Sequence, residues 1–191
     1  MRKHLKFSVN SLNYNGRKIL GSLLDAHLSS LLNTAYDDFE VLFVDNGSSD
    51  DSVEYVKANF RDKRLKIIQL RKNYGYAKGN NLALKFIDPN TDIVVFINND
   101  TIVTKDWLAH LAKAFSNPEV GVAQPLILDM NTGLIQFLGG FTDQWGRTMT
   151  LSSGNDARID RLLRRIIQFF RYKPLQVLRA YGACIAIRKN F

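Results

Sequence analysis

Residues 93–100 read I-V-V-F-I-N-N-D, five consecutive apolar residues followed by two amides and a carboxylate. A continuous apolar run of this length is typical of a strand that is covered on both faces, as in a parallel sheet flanked by helices. Ligands of open α/β sheets bind beyond the carboxyl ends of the strands. The stretch therefore predicts that Asp100 lies at the edge of a binding site.

The first hundred or so residues alternate between strand and helix patterns on either side of this stretch. Apolar, β-prone segments occupy residues 5–12, 39–44, 65–70 and 93–97, and helical periodicity marks residues 17–32, 53–60, 77–86 and 105–115. Ser49 or Asp50 is expected to cap the second helix, and Thr104 the fourth. The alternation predicts right-handed βαβ units and a parallel sheet, so the fold class is α/β.

The pattern changes after Pro118. A strand is predicted over residues 120–128, and a glycine-punctuated stretch after it indicates an irregular, antiparallel region. A basic helix with an apolar face is predicted over residues 157–173, followed by a last strand over residues 180–188. We therefore expect a smaller, differently built half behind the α/β half.

Composition narrows the functional classes. The chain of 191 residues has a formal charge of +8, which favours phosphate-bearing ligands without choosing among them. Its one cysteine, Cys184, excludes an internal disulfide and is expected to pack in the core. Three histidines far apart in sequence argue against a zinc site. Neither G-x-G-x-x-G nor a P-loop is present, so neither a dinucleotide oxidoreductase nor an NTPase is supported.

Three polar clusters fall at the carboxyl ends of predicted strands. They are N-Y-N-G at residues 13–16, D-N-G-S-S-D at residues 45–50 and N-N-D at residues 98–100. Each cluster alone is compatible with an ordinary turn, because asparagine, glycine and serine are common turn residues. Three clusters at the same kind of position instead indicate one shared site.

The chemistry of these clusters suits a phosphorylated ligand. Asp100 offers the oxygen ligand that a hard divalent cation prefers, with phosphates and water completing the coordination. Tyr14 can stack on a base or pack at the strand end, and Asp45 or Asn46 can bind base or ribose edges. The basic, glycine-rich stretch at residues 71–81 is either a phosphate-facing helix start or a solvated loop.

Taken together, these stretches resemble the inverting family 2 glycosyltransferases with the GT-A fold, in particular their rhamnosyltransferase-like branch. The motifs that carry the resemblance are N-Y-N-G at 13–16, D-D-F-E-V-L-F-V-D-N-G-S-S-D at 37–50, N-Y-G-Y-A-K-G-N-N at 73–81, V-V-F-I-N-N-D-T at 94–101, D-W-L at 106–108 and G-V-A-Q-P at 121–125. The resemblance covers nearly the whole chain, and the set is specific although no single motif is.

The resemblance implies a nucleotide-sugar site and a role for each of its residues. Tyr14, Asp45 and Asn46 would hold the base, and Asn98-Asn99-Asp100 would stand in place of a D-x-D motif with Mg²⁺ or Mn²⁺ on Asp100. The full set of expected nucleotide-sugar-binding residues is Asn13, Tyr14, Asn15, Asp45, Asn46, Asn73, Asn80, Asn99 and Asp100. Residues 1–118 would bind the donor, and residues 119–191 would form the acceptor-side half of the same domain.

Members of this family transfer a sugar from a nucleotide diphosphate, here a UDP- or dTDP-sugar, to a carbohydrate or lipid-linked acceptor. The family's general base follows the strand that matches residues 182–188, where this sequence stops at Phe191. We therefore expect a chain truncated before the base, and a donor-binding domain without turnover is the alternative. Asn98 and Asn99 replace acidic residues of other branches.

The basic helix over residues 157–173 leaves two interpretations open. Its six basic residues oppose one acid, Asp160, which suits either an anionic membrane surface or a helix that covers the acceptor side of the sheet. A nucleic-acid partner is not expected, since no recognisable binding motif accompanies the charge. Without a signal peptide or a long apolar segment, the expected location is the cytoplasm, with contact at the inner face of the membrane as the open alternative.

Overall fold

The structure, a computed structural model, describes residues 4–142, 148–169 and 182–190. Its strands are β1 (Phe7–Asn13), β2 (Phe39–Asp45), β3 (Leu65–Gln69), β4 (Ile93–Asn98), β5 (Val122–Ala123), β6 (Ile127–Leu128), β7 (Ile135–Phe137), β8 (Gly139–Thr142), β9 (Thr148–Leu151) and β10 (Cys184–Arg188). Its α-helices are α1 (Gly16–Leu20), α2 (Ser22–Leu32), α3 (Ser52–Asn59), α4 (Tyr76–Ala83), α5 (Trp107–Ala114) and α6 (Ala157–Phe169).

A six-stranded sheet with the order β3-β2-β1-β4-β10-β5 organises the first part of the chain. β1, β2, β3 and β4 run parallel, whereas β10 pairs antiparallel with β4. The predicted α/β fold with a mostly parallel sheet is therefore confirmed. β1 lies between β2 and β4. The chain passes from β1 to β2 and β3 on one side and then crosses over to β4 on the other side, and this reversal of strand order creates the crevice where such sheets bind ligands.

Helices cover both faces of the sheet at β2, which explains why this strand is apolar except for Glu40 and its last residue, Asp45. Every residue of β2 is buried, and its side chains alternate between two clusters. Phe43 packs with Leu24 and Leu28 of α2, while Leu42 and Val44 pack with Ala83 of α4. A period of two thus directs neighbouring residues to opposite helix layers, as expected for a doubly covered strand.

The described residues form two compact units, residues 4–122 with 182–190 and residues 123–142 with 148–169. The second unit contains two antiparallel pairs, β6 with β7 and β8 with β9, together with α6. The antiparallel region predicted behind Pro118 is confirmed. Asp160 fixes α6 in this unit, since its carboxylate accepts hydrogen bonds from the Ile135 N–H (2.8 Å) and the Ser153 hydroxyl (2.9 Å).

Three predicted elements are each divided in the structure. The helix expected over residues 17–32 is two helices, because Gly21 between them adopts φ 55°, a left-handed value that favours glycine. The strand expected over residues 120–128 was wrong as a single element, since β5 and β6 are two residues each and belong to different sheets. The helix expected over residues 77–86 ends at Ala83 and continues as a 3₁₀ turn over Leu84–Phe86.

Both predicted helix caps were also wrong. α3 begins after Asp51, and the carboxylate of Asp50 instead accepts from the Ser52 N–H (3.2 Å) and the Lys18 N–H (2.9 Å). α5 begins after Asp106, and the Thr104 hydroxyl donates to that carboxylate (2.8 Å). Of the predicted helix over residues 157–173 and the predicted strand over 180–188, residues 170–173 and 180–181 lie outside the described residues.

Candidate functional site

Parallel pairing brings the polar clusters to one edge of the sheet. Asn13 at the end of β1 is in register with Asp45 at the end of β2, and Leu12 of β1 is in register with Asn98 of β4. The loops after these three strands therefore leave the sheet at the same edge, as the sequence predicted. Residues 13 and 98 lie far apart in the chain, so only the sheet topology brings them together.

A cleft of about 410 Å³ lies at this edge, within the first unit. Its lining comprises Leu12, Asn13, Tyr14, Gly16, Ile19, Leu20, Asn46, Asn73, Gly75, Tyr76, Asn99 and Asp100. Six of the nine residues expected from the sequence are in this lining, and Asn15, Asp45 and Asn80 are not. The volume falls within the usual range for a small-molecule site.

Asn13 joins the loops that follow β1, β2 and β4. The residue is fully buried, and its side-chain oxygen accepts a hydrogen bond from the Asn99 amide (3.0 Å). Its own amide donates to a carboxylate oxygen of Asp45 (3.2 Å) and to the Ser48 hydroxyl (3.3 Å). Buried polar groups cost free energy unless they are paired, so this side chain fixes the three loops relative to one another.

Asp45 and Asn15 lie outside the cleft lining, and they hold two of these loops, those after β1 and β2. The Asp45 side chain is buried and accepts from the backbone N–H (3.0 Å) and hydroxyl of Ser48 as well as from Asn13. Asn15 adopts a left-handed φ of 52°, and its side-chain oxygen accepts from the Ser49 N–H (2.8 Å). Both residues connect the loop after β1 to the loop after β2.

A second pair of loops, after β2 and β3, is joined by Asn46. Its amide donates to the Asn73 side-chain oxygen (3.0 Å) and the Gly75 carbonyl (3.3 Å), and its oxygen accepts from the Tyr74 N–H (3.0 Å). Gly47 reinforces this contact, because an added Cβ there would lie 2.5 Å from the Lys72 backbone. The close approach of the two loops thus requires glycine.

Asn80 lies on α4, away from the cleft lining. It is buried, its amide donates to the Tyr76 carbonyl (3.0 Å), and its oxygen accepts from the Asn10 amide of β1 (2.7 Å). This bond engages the amide nitrogen of Asn10, a polar residue inside a buried strand, whereas the Asn10 side-chain oxygen is buried without a hydrogen-bond partner among the described residues. Asn80 therefore anchors the helix whose first residue, Tyr76, reaches the cleft.

Asp100 is the one charged residue of the lining, and its surroundings fit a cation. The residue is exposed, and its carboxylate makes no hydrogen bond or ion pair with any described residue, so both oxygens are open to a ligand. The described part of the chain contains no group of three His, Cys, Asp or Glu that could hold a metal ion. A single carboxylate matches the way Mg²⁺ is held together with substrate phosphates.

Two exposed tyrosines lie in the lining. Tyr14 was predicted and is 43% exposed; Tyr76 was missed and is 52% exposed. The Tyr76 hydroxyl donates to the Gly182 carbonyl (3.2 Å), just before β10. Burial of part of the ring raises the pKa of Tyr76. The sequence did contain an indication of this role, because Tyr76 is the last residue of the motif N-Y-G-Y at residues 73–76. Of that motif, only Asn73 was predicted to bind the ligand.

Five further lining residues were not predicted as site residues, namely Leu12, Gly16, Ile19, Leu20 and Gly75. Gly16 lies so close to Asn13 that an added Cβ would be 1.9 Å from the Asn13 side-chain oxygen. The presence of glycine at the end of the motif N-Y-N-G could have indicated this close contact from the sequence. Ile19 is 67% exposed at the cleft, where an apolar residue offers a surface to a ring.

His27 is a buried residue near the site that the sequence did not single out. It is fully buried on α2, and its ring nitrogens contact the Ser11 hydroxyl (2.8 Å) and the Thr101 carbonyl (2.5 Å). Burial lowers its pKa to about 4, against an opposing effect of the Thr101 hydrogen bond and the Asp100 charge. The imidazole is therefore neutral at pH 7.

The basic stretch after β3 lies beside the lining. The Lys72 and Lys78 ammonium groups lie 5.5 Å and 5.1 Å from the ring centroid of Tyr74. Both lysines are exposed, and neither forms an ion pair within 4.0 Å among the described residues. No lysine or arginine contributes to the lining itself.

Two other predictions concern residues away from the cleft. Cys184 is buried in β10, and burial raises the pKa of its thiol to about 12, which confirms its place in the core. Across the described ranges, no helix has the length and apolar character needed to span a membrane.

Comparisons with known proteins agree with this architecture. The chain is 32% identical over 115 residues to the uncharacterized glycosyltransferase YfnE of Bacillus subtilis (strain 168), a match that covers 60% of the chain and 28% of that protein. It is 31% identical over 109 residues to the poly(ribitol-phosphate) beta-N-acetylglucosaminyltransferase TarS of Staphylococcus aureus (strain Mu50 / ATCC 700699), covering 56% of the chain and 18% of TarS. The matched region thus spans less than a third of each of these relatives.

The crystal structure of S. aureus TarS 1–349 in complex with UDP-GlcNAc superposes with a TM-score of 0.59 at 27% identity. The superposition covers 71% of this chain and 39% of that one. The family model for glycosyl transferase family 2 matches residues 12–136, more than half of the chain and a range that contains every loop of the cleft. With this match and a GT-A fold, the chain belongs to glycosyl transferase family 2.

Proposed function

We propose that the cleft binds a nucleotide diphosphate sugar, a UDP- or dTDP-hexose as in the rhamnosyltransferase-like branch, and presents it for transfer to a glycan or lipid-linked acceptor with inversion. The observation that carries this proposal is the convergence of the loops after β1, β2 and β4 on a cleft whose carboxylate, Asp100, has no partner among the described residues. It is supported by the structural likeness to TarS, which was crystallised with UDP-GlcNAc.

The proposed role of each residue follows from which of its side-chain atoms are exposed or have no hydrogen-bond partner among the described residues. Tyr14 and Ile19, both exposed at the cleft, would contact the base. The Asn73 side-chain amide nitrogen and the Asn99 side-chain oxygen, which no described hydrogen bond engages, would bind the nucleotide's polar edges. Asn13, Asn15, Asp45, Asn46 and Asn80 would act by holding the loops, since described hydrogen bonds engage their side chains. Asp100 would hold Mg²⁺ or Mn²⁺.

Charge is the strongest argument for a cation. A nucleoside diphosphate is strongly anionic, while the lining provides one carboxylate and no basic side chain. Bringing two like charges together in a cleft is unfavourable unless positive charge lies between them. A bound divalent ion supplies that charge to the oxygens of the departing diphosphate.

Inverting transfer joins the acceptor oxygen to the anomeric carbon as the bond to the diphosphate breaks, and a general base takes the acceptor's proton. We assign donor binding to the first unit and propose that the second unit, residues 123–142 and 148–169, faces the acceptor. A donor-binding protein without turnover is the competing outcome, and a sugar-transfer assay on this chain separates the two.

Nucleotide binding is tested by thermal shift with UDP, dTDP and GDP, each with Mn²⁺ and with EDTA, followed by calorimetry on the best of them. A ligand that binds only the folded state raises the melting temperature. We expect Mn²⁺ to strengthen binding in the wild type and to have no effect in Asp100→Asn. Glu54→Gln, which removes an exposed carboxylate on α3, is the matched control and should retain the Mn²⁺ effect. An unchanged Mn²⁺ effect in Asp100→Asn rejects the metal role.

A second observation favours contact with a membrane surface. On α6, Ile159, Leu162 and Ile166 are 45%, 58% and 38% exposed on one side of the helix, while Leu163 is buried. Arg161 and Arg165 are exposed beside this apolar strip and have no ion pair within the described residues. Exposed apolar side chains flanked by unpaired arginines complement an anionic lipid surface.

We propose that α6 lies on an anionic membrane surface, and sedimentation with vesicles tests this. Vesicles of phosphatidylglycerol and phosphatidylcholine should retain the wild type, whereas pure phosphatidylcholine should not. Leu162→Ser/Ile166→Ser should abolish retention, and Met130→Ser, which removes a comparably exposed apolar residue, should not. Equal retention of the wild type by both kinds of vesicle, or none by either, rejects the proposal.

A further inference from the structure

The loop that carries Asp100 has little structure of its own. Residues 99–106 connect β4 to α5 without forming a helix or strand. The Asp100 carboxylate has no described partner, so its position depends on how the backbone on either side is held. The Thr101 N–H donates to the Asn98 carbonyl (3.3 Å), which closes the turn on the β4 side.

On the other side, the loop is attached along α2 and the residues that follow it. The contacts are His27 with the Thr101 carbonyl (2.5 Å), the Val103 N–H with the Ser30 hydroxyl oxygen (3.2 Å), the Ala35 N–H with the Lys105 carbonyl (2.7 Å) and the Trp107 indole with the Thr34 hydroxyl oxygen (2.9 Å). Successive turns of α2 thus hold Thr101 and Val103, and the two residues at 34–35 after the helix hold Lys105 and the start of α5. The contact with His27 lies next to Asp100.

The orientation of the His27 ring is determined by its two partners. A carbonyl can only accept, so the ring N–H must be on Nδ1, which donates to Thr101. In the neutral imidazole Nε2 then accepts, and the Ser11 hydroxyl of β1 donates to it at 2.8 Å. The ring therefore connects the central strand β1 to the peptide that follows Asp100.

We infer that His27 is a positioning residue for Asp100: its ring ties the Thr101 peptide to β1 and so presents the Asp100 carboxylate at the cleft. This inference rests on the proposed cation role of Asp100. Residues that orient a metal ligand without touching the ion influence metal affinity, because they limit the conformations that the ligand samples. His27 itself is not among the residues that line the cleft.

Three variants separate positioning from general stability. His27→Phe keeps a ring and removes both nitrogens, whereas His27→Asn keeps an N–H donor near the position of Nδ1. Leu24→Ala, one turn earlier on α2, removes buried apolar contacts with Leu28 and Phe43 and is the control for lost stability. Each variant is measured well below its own melting temperature.

Calorimetry measures the affinity for UDP once with Mn²⁺ and once with EDTA. The readout is the ratio of the affinity in Mn²⁺ to the affinity in EDTA. We expect His27→Phe to reduce this ratio about tenfold while the affinity in EDTA stays within about twofold. His27→Asn should fall between His27→Phe and wild type, and Leu24→Ala should keep the wild-type ratio. A wild-type ratio in His27→Phe overturns the inference, and if that variant does not fold, a wild-type ratio in His27→Asn does so.

The two proposals fail in distinguishable ways. If Asp100→Asn retains the Mn²⁺ effect, the metal role of the cleft is rejected and the inference falls with it. If Asp100→Asn loses the effect while His27→Phe retains it, only the positioning role is rejected. A loss of UDP affinity in EDTA as large as the loss in Mn²⁺ assigns His27 to structure alone.

Discussion

The side-chain amide of Asn99 donates a 3.0 Å hydrogen bond to the side-chain oxygen of Asn13, joining the loop after β4 to the end of β1 across the crevice of the sheet. The two residues are 86 positions apart in sequence. Asn13 in turn donates to Asp45 and Ser48. One buried amide therefore sets the spacing of three loops, and the cleft depends on it.

Removing this amide should destabilise the protein and weaken the cleft. Asn13→Ala leaves a buried Asp45 oxygen and the Asn99 amide with fewer partners, and we expect a loss of about 2 kcal/mol in the free energy of unfolding. Urea denaturation measures the loss. Asn59→Ala removes an exposed side chain that binds only within α3, and it serves as the control with a small effect. Equal effects of the two substitutions would contradict the role of Asn13.

A methyl group at Gly16 should disturb the same contact. The added Cβ would lie 1.9 Å from the Asn13 side-chain oxygen, so Asn13 must move and its bond to Asn99 must lengthen. We expect Gly16→Ala to cost about 1–3 kcal/mol of stability, as overpacking does, and to weaken UDP binding. Gly182→Ala is the matched control, because an added Cβ there meets nothing within 4 Å. Indistinguishable stabilities of the two variants would show that Asn13 is free to move.

Acidification should destabilise the fold through His27. Burial lowers its pKa to about 4 in the folded protein, from the ordinary histidine value of 6.5, so the unfolded chain binds more protons between these values. The contribution of neutral His27 to the free energy of unfolding is therefore fully present above about pH 6.5 and is lost as the pH falls towards 4. At pH 5 the loss amounts to about 2 kcal/mol. Unfolding free energies of the wild type and His27→Phe at pH 7.5 and pH 5 test this. The wild type should lose more stability than the variant, and parallel losses would contradict it.

Cys184 should be unreactive in the folded protein. The thiol is 1% exposed, and its pKa of about 12 keeps it protonated at pH 8, whereas thiolates are the reactive species. We expect Ellman's reagent to label the native protein only as fast as β10 opens, and to label one thiol per chain at once in guanidinium. Immediate stoichiometric labelling of the native protein would show that the last strand is loosely held.

Much of the fold follows from local patterns in the sequence. Residues 93–97 are continuously apolar, and residues 39–44 are apolar except for Glu40, as expected for strands that are buried on both faces; this pattern predicted a parallel sheet. The caps at Asp51 and Asp106 were missed because several polar residues precede each helix, and local sequence does not rank them. The break at Gly21 was missed because the apolar periodicity continues through it.

For the site, the sequence by itself determined which loops form it, since parallel strands collect their carboxyl ends on one edge and Asp100 follows such a strand. Only the tertiary structure decided which side chains of these loops line the cleft and remain available to a ligand. Asp45 and Asn80, which were expected to bind a ligand, lie outside the cleft lining and bind Ser48 and Tyr76, and His27 binds the peptide next to Asp100. The physical reason is that a polar side chain binds whichever partner the fold places beside it, and that partner depends on strand order and helix packing rather than on neighbours in the chain.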